Sequence, residues 1–141
     1  MSEEFAVDAR SLPAVTSEYF EIAGEADVTL VTLHGAGPSL TDKETAEHLR
    51  VDFALLASAV PAKVKLLLDL SAVALLGSPV LAGLIELQRK VRETQGLLKL
   101  VITQESLHET FRVTKLESHF HIHDSRQGAL ASFKAPSLNR R

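Results

Sequence analysis

Two stretches of this chain carry side chains with chemistry to offer. The first is Leu75-Leu76-Gly77-Ser78-Pro79-Val80-Leu81, where one serine stands between a glycine and a proline. Proline at the first position of a helix has a preset φ and lacks only an N–H that would be unpaired there anyway. Ser78-Pro79 therefore predicts an N-cap followed by a first helical turn. The Ser78 hydroxyl would then sit near the surface, at the end of a helix where unpaired N–H groups and the helix dipole favour an anionic group. A plain helix cap would occupy the same position, so both readings stand.

The second stretch is Ser118-His119-Phe120-His121-Ile122-His123-Asp124. On a strand, residues i, i+2 and i+4 share a face, which would line up His119, His121 and His123 at about 7 Å intervals with Asp124 adjacent. Neutral imidazoles suit zinc, copper or nickel. No second element is obliged to supply a fourth ligand, so the expectation is an exposed polar strand face and no metal. A pH-sensitive face is a lesser alternative, because histidine titrates near neutrality.

Hydrolytic chemistry fits poorly. Ser78 lies between a strand and a helix, where hydrolase nucleophiles sit, and His34, His48 and His108 are bases in principle. A nucleophile elbow wants glycine two residues to either side of the serine, and here Leu76 and Val80 stand there. No chain-order triad can be assembled either. The glycines of His34-Gly35-Ala36-Gly37-Pro38-Ser39 match neither the dinucleotide fingerprint nor the P-loop, which leaves a strand-to-helix loop. Neither an enzyme nor a cofactor is expected.

The elements that must position these residues follow from periodicity. Val64, Leu66, Leu68 and Leu70 alternate with Lys65, Leu67 and Asp69, a strand with one face inside. After it, Val80, Leu84, Leu87 and Val91 fall on one stripe of a helix, with Arg89, Lys90, Arg92 and Glu93 opposite. Asp69, at the end of that strand, can shape the loop before Ser78 or serve as an ordinary turn residue.

Upstream, Tyr19 to Ile22 and Val28 to Leu33 predict a hairpin turned at Gly24 to Asp27. Thr41 with Glu44 reads as a capping box, opening a helix with Ala46, Leu49, Phe53, Leu56 and Val60 on one face until Pro61. Downstream, Gly96 reads as a C-cap glycine and Leu98, Leu100 and Ile102 as the inward face of a strand. Thr103 can cap a helix carrying Leu107 and Phe111. Phe120 and Ile122 mark a last strand, and Ser125 to Phe133 a last helix.

Strands joined through helices should be parallel with right-handed crossovers, beside an antiparallel N-terminal hairpin. The fold class is α/β, a mixed sheet with about four helices mainly on one face.

The chain has 141 residues, a net charge of −3 and no cysteine. It is long enough for one domain with a sizeable core, and it offers neither disulfides nor thiolate metal sites. Such a balance gives nucleic acid no basic patch before the last few residues. The start, Met1 to Arg10, is acidic and mixed rather than signal-like. The longest uncharged run, Leu70 to Ile85, is broken by Ser71, Gly77, Ser78 and Pro79, and is too short to span a bilayer. The expectation is a cytoplasmic protein without membrane or nucleic-acid partners: a loose tail over 1–17, one domain over 18–135 and a basic tail over 136–141.

With the elements in this order, Lys65-Leu-Leu-Leu-Asp69-Leu-Ser71, Leu75 to Leu81, Gly96 to Ile102 and Leu116 to Ile122 resemble a STAS domain of the anti-sigma-factor antagonist type, in register from about Tyr19 to Phe133. In that family the loop before the second helix reads Asp-Ser-Ser/Thr-Gly-Leu. Its first serine is phosphorylated by a partner that is both anti-sigma factor and serine kinase, of the histidine-kinase-like ATPase type. The resemblance assigns the phosphoacceptor to Ser78 and the closing leucine to Leu81. Gly77 replaces the Asp, Pro79 the second hydroxyl residue and Val80 the Gly.

What the resemblance implies is an antagonist that works by partner switching through Gly77, Ser78, Pro79, Val80 and Ala82, with Asp69 shaping the loop. A divergent branch, in which small residues replace the Asp, implies instead a non-phosphorylated scaffold that assembles with itself or with other STAS proteins in a signalling complex.

Overall fold

The computed structural model describes residues 17, 19–25, 27–34, 39, 40 and 42–134. Residues 1–16 and 136–141 of the expected tails, residues 35–38 of the glycine loop, Ala26 of the hairpin turn and the Thr41 cap lie outside them.

Strands β1 (Phe20–Glu25) and β2 (Val28–Leu33) form the antiparallel hairpin. Strands β4 (Lys65–Asp69), β6 (Leu97–Val101) and β7 (His121–His123) add to it in parallel, giving the order β1-β2-β4-β6-β7. Helices α1 (Lys43–Ala59), α2 (Ser78–Glu93), α3 (Glu105–Val113) and α4 (Arg126–Lys134) connect or follow the strands. One piece of pairing has no periodic signature. The two-residue strands β3 (Ser39–Leu40) and β5 (Leu75–Leu76) bridge in parallel, tying the segment before α1 to the segment before Ser78.

The alternating faces explain the layers. Val31, Leu33, Leu66, Leu68 and Leu100 pack against buried stripes of three helices: Leu49, Phe53 and Leu56 of α1, Val80, Leu84 and Leu87 of α2, and Leu107 and Phe111 of α3. Phe20 stacks on Phe53 with ring centroids 5.8 Å apart. The opposite face is not left to solvent. Val28, Leu30, Leu67 and Val101 form a smaller core with Ala129 and Phe133 of α4. Leu67, on the polar side of the strand's alternation, is fully buried there, and Asp69 and Lys99 are buried with it.

Helix boundaries differ from the expectation by single residues. The cap of α1 is Asp42, whose carboxylate accepts the Thr45 N–H at 3.1 Å. The cap of α2 is Gly77, without a side-chain cap bond, so Ser78 is already helical and Pro79 follows inside the first turn. The cap of α3 is Gln104, and the Thr103 hydroxyl donates instead to the Ser71 carbonyl at 3.0 Å.

At the end of α2 the left-handed position is taken by Gln95, φ 66°, rather than by Gly96. Gln95 N–H donates to Arg92 O at 3.0 Å and Gly96 N–H to Val91 O at 2.8 Å, the paired bonds of a Schellman motif. Gly96 serves another need, because a Cβ there would lie 2.6 Å from the Val64 carbonyl oxygen.

Candidate functional site

The site is built at the C-terminal edge of the central strand. β4 ends at Asp69, the chain turns through 70–74, pairs briefly as β5, and enters α2 at Ser78. Turn residues are held from three sides. Leu70 N–H donates to Val101 O at 2.9 Å and Val73 N–H to Leu70 O at 2.9 Å. From the α3 side, the Thr103 hydroxyl holds the Ser71 carbonyl, and the Ser106 hydroxyl holds the Ala74 carbonyl at 2.8 Å.

Asp69 is the polar centre of this edge. Its side chain is only 3% exposed, and one carboxylate oxygen accepts the Ser71 N–H at 2.9 Å. The other takes two guanidinium nitrogens of Arg126, Nε at 2.9 Å and Nη2 at 2.8 Å. Arg126 Nη2 also reaches the Thr32 hydroxyl at 3.2 Å. Burial on its own would raise the Asp69 pKa. The hydrogen bonds from Ser71, and then that from Arg126 with its charge, outweigh burial and hold the carboxyl below its ordinary value.

Ser78 is exposed at the start of α2, and Gly77 and Pro79 beside it are half-buried. Ala82, one turn on, is exposed. Val80 is the exception among the five residues expected on a partner-facing surface. Its side chain is fully buried in the core between α2 and the sheet, because position 80 begins the buried stripe of the helix. In its place the edge presents Leu75, 41% exposed. The first turn of α2 carries no acidic residue, so nothing there opposes an anion at the positive end of the helix.

The histidines do not assemble. His119 lies in the turn before β7, its N–H bonded to Leu116 O and its carbonyl accepting from Gln88 Nε2. His121 is exposed on β7. His123 Nε2 approaches the Ser132 hydroxyl of α4 at 3.4 Å, and that hydroxyl accepts from the buried Lys99 Nζ at 2.7 Å. Burial, then the Lys99 and His121 charges, depress the His123 pKa against the pull of Asp124. Among the described residues no three His, Cys, Asp or Glu side chains are grouped to hold a metal ion, and Ser78 makes no hydrogen bond to a histidine. His34 is instead near Glu21, at 3.7 Å.

Arg126, Thr32 and Ser106 are the members of the site that periodicity misses. Their contacts span 57, 94 and 32 residues, and no local motif announces such pairs.

Comparison with known proteins gives one family. The sequence model described as the STAS domain matches residues 19–129. No curated protein matches at a significant level. Among solved structures, the chain is similar to an anti-sigma factor antagonist from Mycobacterium paratuberculosis, with 26% identity and a TM-score of 0.65 over 82% of this chain and 92% of that one. It is also similar to an anti-sigma-factor antagonist (STAS) domain protein from Planctomyces limnophilus, with 21% identity, a TM-score of 0.69 and coverage of 82% and 98%. A third is the anti-sigma factor antagonist SpoIIAA in its unphosphorylated form, with 12% identity, a TM-score of 0.56 and coverage of 82% and 98%. No described helix is long and apolar enough to cross a membrane.

Proposed function

The chain belongs to the STAS domain family, and on that premise we propose that it is an anti-sigma-factor antagonist working by partner switching, its docking surface centred on Ser78. The observation that carries the reading is an exposed serine hydroxyl at the positive end of a sixteen-residue helix with no acidic residue in the first turn. The partner is an anti-sigma factor that is also a serine kinase of the histidine-kinase-like ATPase type, and Ser78 is its phosphoacceptor. The protein is a binding module rather than an enzyme.

A phosphate on Ser78 brings a charge of about −1.5 to −2 to a helix end that tolerates it, so the domain stays folded. In a docked interface the same charge must be paired or costs several kcal/mol, on the order of the ~5.5 kcal/mol that turns a 1:99 equilibrium into 99:1. Phosphorylation therefore releases the partner.

The test is affinity capture from the native cell with wild type, Ser78→Asp and Ser78→Ala, with mass spectrometry of Ser78. Wild type and Ser78→Ala should retain an ATPase of the stated type, Ser78→Asp should lose it, and a fraction of wild-type Ser78 should carry phosphate. Equal capture by all three, with no phosphate, would refute the switch.

Gly77 as the α2 cap supports a second reading. It supplies no carboxylate beside Ser78, and a non-phosphorylated scaffold subunit of a signalling complex needs none. A scaffold should run as an oligomer, alone or with other STAS proteins, in size-exclusion chromatography, whereas the switch protein should run as a monomer.

A further inference from the structure

The Ser78 edge is connected to the far side of the sheet by a single buried carboxylate. Asp69 divides its two oxygens: one fixes the turn through the Ser71 N–H, the other is held by the Arg126 fork at the first residue of α4. α2 and α4 lie on opposite faces of the sheet, so this chain of bonds passes over its C-terminal edge. It continues from Ser71 to Thr103 on one side and from Arg126 to Thr32 on the other.

We propose that Arg126 is a positioning residue for the 70–77 turn that presents Ser78, acting through Asp69. This rests on the reading of the Ser78 edge as the docking surface and adds to it a control point on the opposite face. Keeping a carboxylate this buried ionised is costly, and the Arg126 cation offsets part of that cost beside the Ser71 hydrogen bonds. Without Arg126 the oxygen it holds is left buried without its partner, the side chain loses its second anchor, and its hold on the Ser71 N–H weakens. The Arg126 side chain is 46% exposed, so the cation that locks the turn is itself within reach of solvent. α4 is also anchored by Ala129 and Phe133 in the smaller core and by the Lys99–Ser132 bond, so Arg126 sits on a helix already fixed against the sheet and passes that fixed position to the turn.

The experiment is hydrogen exchange by NMR on the free, full chain, comparing wild type, Arg126→Met and Arg126→Lys. Amides of Leu70, Ser71 and Val73 report the turn, and those of α1 report global opening. Arg126→Met should speed exchange at Ser71 by about tenfold or more, the loss of one charge-assisted hold on a buried group. Exchange along α1 gives the accompanying loss of global stability, and Ser71 should exchange faster than α1 in every variant. Arg126→Lys, which keeps the charge and loses the fork, should fall between the two.

Exchange at Ser71 within about twofold of wild type in both variants would overturn the inference, since a purely local role for Arg126 leaves the turn untouched. If Arg126→Met fails to fold, Arg126→Lys alone decides by the same readout. Partner capture separates the two claims. A loosened turn in the Arg126 variants supports the connection and an unaltered turn sinks it, whatever the capture shows; the docking surface fails separately, on equal capture by wild type and Ser78→Asp.

Discussion

Adding one methyl group at Gly96 should cost far more than its size suggests. A Cβ built there meets the Val64 carbonyl oxygen at 2.6 Å and both Val64 N and Cγ1 at 3.0 Å, well inside the 3.4 Å where ordinary contact begins. Two of these neighbours are backbone and cannot rotate away. The same Val64 carbonyl accepts the Leu97 N–H at 2.8 Å and so starts the pairing of β4 with β6 in the centre of the sheet.

Gly96→Ala must therefore overpack a half-buried junction against buried Val64, at about 1–3 kcal/mol, and strain or break a central hydrogen bond, at about 1 kcal/mol. The expected loss is about 2–4 kcal/mol in urea unfolding, read as a lower midpoint at unchanged slope. The companion change, Gln95→Gly, should gain up to about 1 kcal/mol, because it relieves a left-handed backbone that glycine adopts freely. A near-neutral Gly96→Ala together with a destabilising Gln95→Gly would refute the assignment of roles at this turn.

Three further outcomes follow from buried polar groups and caps. The Thr29 hydroxyl is buried without a hydrogen-bond partner among the described residues, so Thr29→Val should raise stability by about 1 kcal/mol, measured by urea unfolding. Asp42→Ala removes the α1 cap and should cost about 1 kcal/mol by the same assay. The folded-state pKa of Asp69 lies below its unfolded value of about 3.9. Its contribution to stability is thus complete above that value and is lost as pH falls below it toward the folded pKa. The stability gap between wild type and Asp69→Asn should shrink steadily as acid unfolding is followed downward from about pH 5; a gap independent of pH would contradict the pairing with Arg126.

What could be read from sequence divides along the range of the interactions. The hairpin, the strand through Leu66 and Leu68, the helix after Ser78 and the exposed hydroxyl at its start rest on local alternation and on proline chemistry, and the fold has all of them. Caps came out one residue off, because Thr41-Asp42, Gly77-Ser78 and Thr103-Gln104 each offer adjacent residues that can begin a helix, and only backbone geometry chooses. Gly96 was legible as a required glycine, but for the wrong reason, since its obligation is to Val64, some thirty positions away in sequence. The histidine alignment failed because β7 begins only at His121. The Arg126 fork on Asp69 could not be read at all: an arginine opening a helix is unremarkable until the sheet brings a buried acid beneath it.

The two margins of the sheet also bear on how copies of this protein can meet. β1 forms one margin and turns Glu21, Ala23 and Glu25 to solvent, while β7 forms the other and is only three residues long. Among the described residues no strand pairs with the outer side of β1 or of β7, and acidic side chains on one ladder and brevity on the other are devices that discourage a further strand from joining. Edge-to-edge growth of the five-stranded sheet is therefore disfavoured, and a higher-order assembly of this chain is expected to use helix surfaces rather than a shared ribbon.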